Sequence, residues 1–196
     1  MEIGKKFAVF RSDGDAASSE RIPIILGRGR AFGSGEHETT YSCLEELEKL
    51  PVASMEFVLD LGCGTGILAI AAARMGARSV TAIDPNPFAV QTAEANIKLN
   101  CVDERTRAIR GELRDAAGSR FDLIMANLYG DVLMEIAQDI LLFLKPGGYL
   151  LLSGIHYEYH YEIKAIFLEL GLRLLRNRVL EEYATLLFER QSSIQS

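Results

Sequence analysis

Cysteine is scarce in this chain of 196 residues. Its three cysteines, Cys43, Cys63 and Cys101, stand far apart and form no Cys-x-x-Cys pair. Such pairs are typical of zinc sites and redox dithiols, so neither class of site is indicated, and a small disulfide scaffold is excluded. This cysteine usage fits a reducing, cytoplasmic setting.

Long apolar runs and an excess of positive charge are also lacking. The amino terminus has no uninterrupted apolar core of a signal peptide, and no later stretch stays apolar for the ~20 residues of a membrane span. The 21 basic and 27 acidic side chains give a net charge of −6, whereas binding to nucleic-acid phosphates requires a basic surface. We expect a soluble, cytoplasmic protein that binds neither membrane nor nucleic acid and attracts cationic partners.

Hydrophobic residues are plentiful, at 48% of the chain, which is enough to fill the core of one domain. Because domains commonly run to ~100–200 residues, we predict a single domain over residues 1–196. Residues 1–35 contain two short apolar runs and are predicted to form an extension with short strands around a mobile loop. Residues 36–196 are predicted to form the core.

From residue 56 onward, apolar runs typical of buried strands alternate with helical repeats. The predicted strands are 57–61, 79–83, 107–110, 123–126, 149–153, 173–180 and 183–190, and the predicted helices are 38–50, 67–75, 88–99, 131–144 and 158–170. This alternation predicts an α/β fold with a doubly wound, Rossmann-like sheet of seven mostly parallel strands. The last two strands are joined by too few residues for a parallel crossover, so they form an antiparallel carboxyl-terminal hairpin.

A glycine-rich segment leaves the first parallel strand and enters a helix. Glycines at alternate positions let the backbone approach a ligand closely. The spacing differs from the Gly-x-Gly-x-x-Gly of NAD sites, and the preceding acid suits S-adenosylmethionine, whose ammonium Asp60 can approach. The candidate cofactor-binding residues here are Asp60, Gly62, Cys63, Gly64 and Gly66. Alternatively, the turn serves only helix–strand packing, and Cys63 fills a place that needs a small residue.

Asp84 follows the second strand, where a carboxylate can accept hydrogen bonds from both ribose hydroxyls. Its alternative role is the N-cap of the helix after Pro85, and both residues join the cofactor-binding candidates. At the end of the third strand, Glu112 and Leu113 are predicted to contact the adenine.

The segment Asn127-Leu128-Tyr129 follows the fourth strand, at the edge where ligands of open α/β sheets bind. These are the candidate catalytic residues, and Asn127 is also a cofactor-binding candidate. We predict that the Asn127 side-chain oxygen and the Leu128 carbonyl accept hydrogen bonds from an uncharged amine and direct its lone pair at the sulfonium methyl. No strong general base is required. Alternatively, Asn127 bonds only turn backbone.

Five segments together resemble the ribosomal protein L11 methyltransferase family. They are AFGSGEHETT (31–40), DLGCGTGILAIA (60–71), ANLY (126–129), KPGG (145–148) and LSGI (152–155). The resemblance covers about residues 30–190 and implies a class I methyltransferase that uses S-adenosylmethionine to methylate protein lysine or amino-terminal nitrogens. It implies that Thr40, Gly62, Asp84 and Asn127 contact the cofactor or the reacting amine, and it adds Phe32 to the cofactor-binding candidates.

The chain also differs from that family in two respects. Family members carry a separate amino-terminal domain that grips L11, and the 30 residues before Ala31 are too few to form it. The usual Glu-Trp near the end is Glu182-Tyr183 here. We expect a catalytic domain without the substrate-recognition domain, with L11 or another basic protein as its partner. A small-molecule amine methyltransferase and a non-catalytic regulatory module that binds the cofactor remain as alternatives.

The three histidines give weaker signals. His156 and His160 stand four residues apart, but neither an HExxH pattern nor a third ligand accompanies them, so no metal site is predicted. His37 is either a base near the site or a loop residue that holds the Phe32–Gly35 turn.

Overall fold

The computed structural model describes residues 1–11, 20–27, 33, 37–116 and 120–192. The strands are β1 (Glu2–Ile3), β2 (Phe7–Arg11), β3 (Ile22–Leu26), β4 (Phe57–Leu61), β5 (Ser79–Asp84), β6 (Thr106–Arg110), β7 (Phe121–Asn127), β8 (Leu144–His156), β9 (Leu172–Val179) and β10 (Tyr183–Arg190). The helices are α1 (Glu38–Leu47), α2 (Ile67–Arg74), α3 (Pro87–Leu99), α4 (Gly130–Glu135), α5 (Ala137–Phe143) and α6 (Tyr157–Glu169).

The main sheet has seven strands in the order β6-β5-β4-β7-β8-β10-β9. The first five of these run parallel to one another, and β10 pairs antiparallel with both β8 and β9. The predicted fold class, a seven-stranded and mostly parallel α/β sheet with an antiparallel carboxyl-terminal hairpin, is confirmed.

Helices cover both faces of this sheet, which explains why its central strands are apolar throughout. Helices α1, α2 and α3 contribute to the core on one face, and α4, α5 and α6 to the core on the other. Successive residues of β4 point to opposite faces, so Val58 belongs to the first core and Leu59 to the second. The carboxyl ends of β4, β5 and β7 lie at one edge, where the segments that follow these strands come together.

The helix predicted over residues 131–144 is divided into α4 and α5. Ile136 leaves the helical conformation, with φ −96° and ψ 5°. The apolar repeat nevertheless continues across this break, because Leu133, Ala137 and Ile140 are all buried in the same core. Such a repeat reports which face is buried and does not reveal a break of one residue in the backbone.

Two other boundaries also differ from the sequence prediction. Strand β8 begins at Leu144 rather than at residue 149, because residues 145–148 lie at a shift of register between two paired stretches. Helix α1 ends at Leu47 rather than at residue 50. The carboxylate of Glu48, just beyond its end, accepts hydrogen bonds from the backbone N–H groups of Lys5 (2.8 Å) and Lys6 (3.0 Å).

A second, three-stranded sheet is formed by β1, β2 and β3, with β1 antiparallel and β3 parallel to β2. Two buried asparagines connect it to α3. Asn100 accepts from the Ile25 backbone N–H (2.8 Å) and donates to the Ile25 carbonyl (2.6 Å), and Asn96 accepts from the Gly27 N–H (2.8 Å). The predicted loop over residues 12–19 lies outside the described residues.

We expect Asn100→Ala to lower the free energy of unfolding by roughly 1–3 kcal/mol, since it leaves the partly buried backbone N–H and carbonyl of Ile25 in β3 without these partners. Urea unfolding of the variant and of wild type measures this difference. Gln91→Ala, which removes an exposed amide from α3, is the control and should change stability by less than about 0.5 kcal/mol. Equal stabilities of the two variants would show that the asparagine contacts do not hold the small sheet.

Candidate active site

A cavity of about 380 Å³ opens at the carboxyl edge of the main sheet. It is bounded by the loop after β4, the turn after β5, the segment after β7, and the starts of α1 and β10. The lining residues are His37, Thr39, Gly62, Gly64, Asp84, Pro85, Asn86, Ala89, Asn127, Leu128, Tyr129, Gly154 and Tyr183. Candidates from three separate sequence segments therefore meet in one place.

The glycine loop approaches the segment after β7 closely. Gly62 and Gly64 have left-handed backbones, with φ of 72° and 53°. A Cβ on Gly62 would collide with the Leu128 side chain, so only glycine allows this approach. Gly66 faces α3 instead, where a Cβ would lie 3.1 Å from that of Ala93. The alternative interpretation, in which the glycine-rich turn serves only packing, therefore applies to Gly66 but not to the whole loop.

Asp84 is fixed in the cavity by two backbone groups. Its Oδ2 accepts from the Gly64 N–H (3.1 Å) and its Oδ1 from the Asn86 N–H (2.9 Å). Each oxygen keeps a lone pair for a further donor. The N-cap of α3 is Asn86, whose side-chain oxygen accepts from the Phe88 N–H (2.9 Å). The alternative that Asp84 caps this helix is therefore wrong.

Asp60 has a structural task at the start of α2. It is 2% exposed, and its Oδ2 accepts from the Ala69 N–H at 3.0 Å. Because the N-cap position of α2 is Gly66, which has no side chain to offer, Asp60 supplies an acceptor that the helix start needs. Burial raises the pKa of Asp60 to about 7; the Ala69 hydrogen bond opposes this rise and the charge of Asp84 adds to it.

The amide of Asn127 is anchored by α1. Its Nδ2 donates to the hydroxyl oxygens of Thr39 (3.2 Å) and Thr40 (3.4 Å), and both threonines are 1% exposed. These contacts rule out the alternative in which Asn127 bonds only turn backbone. With its nitrogen engaged, the amide presents its oxygen to the Gly154 side of the site.

Gly154 lies closely against two acceptor oxygens. Its φ is 76°, and a Cβ there would lie 2.6 Å from the Leu128 carbonyl oxygen and 2.9 Å from Asn127 Oδ1, so there is no room for a side chain. Neither oxygen carries a hydrogen, the two lie beside each other, and their residues line the cavity, so both can accept hydrogen bonds from an amine placed there. In the sequence, Gly154 stands out only as a member of the LSGI segment. Thr39 stands out only as the neighbour of the candidate Thr40.

Aromatic rings supply the apolar part of the lining. The Tyr183 ring meets His37 edge-on, with 5.3 Å between centroids, and also meets His156 at 5.9 Å. Tyr129 lies at the cavity with 75% of its surface exposed. A partly apolar surface of this kind favours the uncharged form of an amine.

Comparison with known proteins decides the family. The family model described as "Ribosomal protein L11 methyltransferase (PrmA)" matches residues 1–191. The chain belongs to this family. Among curated L11 methyltransferases it is 38% identical over 176 residues to that of Desulforamulus reducens and 35% identical over 193 residues to that of Alkaliphilus metalliredigens. These alignments cover 89% and 98% of this chain but 57% and 61% of the relatives, so it spans about six-tenths of their length.

Solved structures agree with this membership in the PrmA family. A structure of the ribosomal protein L11 methylase from Lactobacillus delbrueckii subsp. bulgaricus superposes with a TM-score of 0.86 at 26% identity, covering 97% of this chain and 98% of that one. The tRNA m1G37 methyltransferase of M. jannaschii reaches a TM-score of 0.68 at 19% identity, over 78% of this chain and 49% of that one. The second likeness shows the fold alone.

Some predicted cofactor residues do not line the cavity of this PrmA-family chain. Thr40 lies behind it and holds Asn127, and Cys63 is buried, which raises the pKa of its thiol and disfavours a nucleophilic thiolate. Glu112 is exposed and pairs with Arg114 (3.1 Å), and Leu113 is buried in a 3₁₀ turn. Phe32 lies outside the described residues. Contacts of these residues with a cofactor stay predictions.

The described ranges contain no group of three or more His, Cys, Asp or Glu side chains that could hold a metal ion. Two of the histidines have other neighbours: His160 bonds Asn177 at 2.8 Å, and His156 lies 3.6 Å from Glu158. The same described residues include no helix of the length and apolar character needed to span a membrane.

The raised pKa of Asp60 predicts a pH-dependent difference between wild type and Asp60→Asn. The ordinary pKa is 3.8 and the folded one about 7, so the unfolded wild-type chain releases a proton in this interval while the folded chain keeps it. Wild-type stability therefore falls as the pH rises to 7 and then levels off. Asparagine does not titrate and can still accept from Ala69.

We expect Asp60→Asn to gain roughly 2–4 kcal/mol relative to wild type between about pH 4 and pH 8. Urea unfolding at both pH values measures the change. The exposed substitution Asp103→Asn is the control and should follow the wild-type profile. Parallel profiles for wild type and Asp60→Asn would contradict the assignment of a buried, protonated Asp60.

Proposed function

We propose that this chain is an S-adenosylmethionine-dependent N-methyltransferase that acts on amines of a protein. The observation that carries the proposal is that Asn127 Oδ1 and the Leu128 carbonyl oxygen lie beside each other at Gly154, in residues that line the cavity. An uncharged primary amine in the cavity that reaches both oxygens donates one hydrogen bond to each and keeps its lone pair free. Membership in a family of methyltransferases supports the same reaction class.

The residues of the cavity fit S-adenosylmethionine. The left-handed backbones of Gly62 and Gly64 allow a ligand to lie close to the loop. Asp84, held by two backbone N–H groups, can accept from two ribose hydroxyls. When bound, the sulfonium supplies the electrophilic methyl group.

The protein must then keep the substrate amine uncharged and direct its lone pair at the methyl group. An ordinary lysine has a pKa near ~10.4, so roughly one amine in a few thousand is uncharged at pH 7. Partial desolvation in the cavity disfavours the charged form, and the released proton goes to solvent. Asn127 Oδ1 and the Leu128 carbonyl hold the two remaining N–H groups, so rate enhancement comes from alignment rather than from a strong base.

A basic protein is the substrate class that we propose. The curated relatives are named for ribosomal protein L11, which makes L11 the first substrate to test. The net charge of −6 favours encounter with a cationic protein.

Transfer of labelled methyl groups from S-adenosylmethionine to purified L11 and to a cell extract tests the proposal. We expect label in protein, as methyl-lysine or a methylated amino terminus. Asn127→Ala should lower the turnover number by about 10–100-fold, because the amine becomes positively charged as it attacks and one charged hydrogen bond is worth ~1.5–3 kcal/mol. Its cofactor dissociation constant should change by less than about twofold.

Asn177→Ala is the matched control, since this exposed amide bonds only His160 among the described residues. It should keep wild-type turnover. Label found only in small molecules would favour the small-molecule alternative, and cofactor binding without transfer to any amine would favour the regulatory module. Wild-type turnover by Asn127→Ala would remove Asn127 from the reaction.

A further inference from the structure

We infer that His37 is a positioning residue, which acts through the Thr39 hydroxyl to fix which end of the Asn127 amide faces the reacting amine. The inference rests on the proposed function, because it concerns the same amine site. Three contacts in series carry it: His37 to Thr39, Thr39 to the Asn127 amide nitrogen, and the Asn127 amide oxygen to Gly154 beside the Leu128 carbonyl.

The first contact determines where the imidazole carries its hydrogen. His37 is the N-cap of α1, and its Nδ1 accepts from the Thr39 backbone N–H at 3.4 Å. A ring nitrogen that accepts carries no hydrogen, so the hydrogen of the neutral ring is on Nε2. The same Nδ1 lies 2.8 Å from the Thr39 hydroxyl oxygen, and the hydroxyl must therefore be the donor of that bond.

The second contact follows from the first. A hydroxyl has a single hydrogen, and when Thr39 gives it to His37 its oxygen can only accept. Asn127 Nδ2, at 3.2 Å, supplies the matching donor. A flipped amide would place Oδ1 against an oxygen with no hydrogen to offer. Thr40, at 3.4 Å, holds the amide as well, but a hydroxyl free to turn can donate or accept and does not select an orientation.

This chain of bonds distinguishes between the two roles predicted for His37. Its unprotonated nitrogen is directed at Thr39, and its ring is packed edge-on against Tyr183. Nδ1 is thus engaged in the α1 N-cap. His37 holds the site in place and is not the base of the reaction.

A double-mutant cycle of His37→Ala, Thr39→Val and the double variant tests the inference on the full chain. One readout is the hydrogen exchange of the Asn127 side-chain NH₂ by NMR, which needs no turnover. We expect about tenfold faster exchange in each single variant and no further change in the double variant, because both remove the same constraint. The turnover number should follow the same pattern, with the cofactor dissociation constant unchanged.

Conservative variants separate positioning from helix capping. His37→Asn keeps a side-chain acceptor at the N-cap, and Thr39→Ser keeps the hydroxyl, so both should restore exchange and turnover to within about threefold of wild type. His160→Ala, which removes a partly exposed histidine, is the control for loss of an imidazole. Thr39→Val leaves the His37 cap in place but also removes an acceptor of the Asn127 amide. A capping role alone therefore predicts additive effects of His37→Ala and Thr39→Val, whereas positioning through the hydroxyl predicts no further change in the double variant.

Two results would overturn the inference. One is unchanged exchange of the Asn127 amide in His37→Ala, and the other is additive losses in the double variant. Failure of the proposed function is distinguishable from both. In that case the amide exchange would still respond to His37 while no amine is methylated by wild type.

Discussion

The hydrogen bonds from the Asn127 amide nitrogen to the hydroxyls of Thr39 and Thr40 connect the two halves of the candidate active site. Asn127 ends a central parallel strand, whereas the threonines begin α1, so these bonds fix the helix start against the sheet edge. Further along the sheet, the Ser153 hydroxyl lies 3.4 Å from the Thr39 carbonyl and 2.8 Å from the Thr185 hydroxyl, all in buried positions. Helix α1 is thereby held to β7, β8 and β10 together.

Charges at the other end of α1 add to this attachment. Arg178 of β9 pairs with Glu45 and lies 3.9 Å from the buried Glu46. The antiparallel hairpin that carries Tyr183 is thus joined to the helix that carries His37 and Thr39. Positioning of the proposed amine site depends on contacts between distant parts of the chain, from 87 residues apart for Asn127 and Thr40 to 114 for Ser153 and Thr39.

Sequence reasoning located the site because parallel strands end at one edge. That rule alone placed Asp84, Asn127 and the glycine loop in one cavity. It could not identify Thr39 or Gly154, since their importance comes from contacts with Asn127 that exist only in the folded chain. Nor could it show that Asp60 serves the start of α2, because its partner, the Ala69 N–H, is a backbone group with no side-chain signal.

The central claim is that Asn127 Oδ1 and the Leu128 carbonyl oxygen together hold the amine, and Gly154→Ala tests it most directly, because its Cβ would displace both oxygens. Gly171→Ala is the matched control: Gly171 has a similar φ of 84°, but a Cβ there meets nothing within 4 Å. Both variants bear the strain of a left-handed alanine, roughly 1–2 kcal/mol. The measurement is the turnover number of each for an amine substrate, beside its cofactor dissociation constant. We expect Gly154→Ala to lose most turnover with nearly unchanged cofactor affinity while Gly171→Ala stays active, and equal turnover by the two variants would contradict the account.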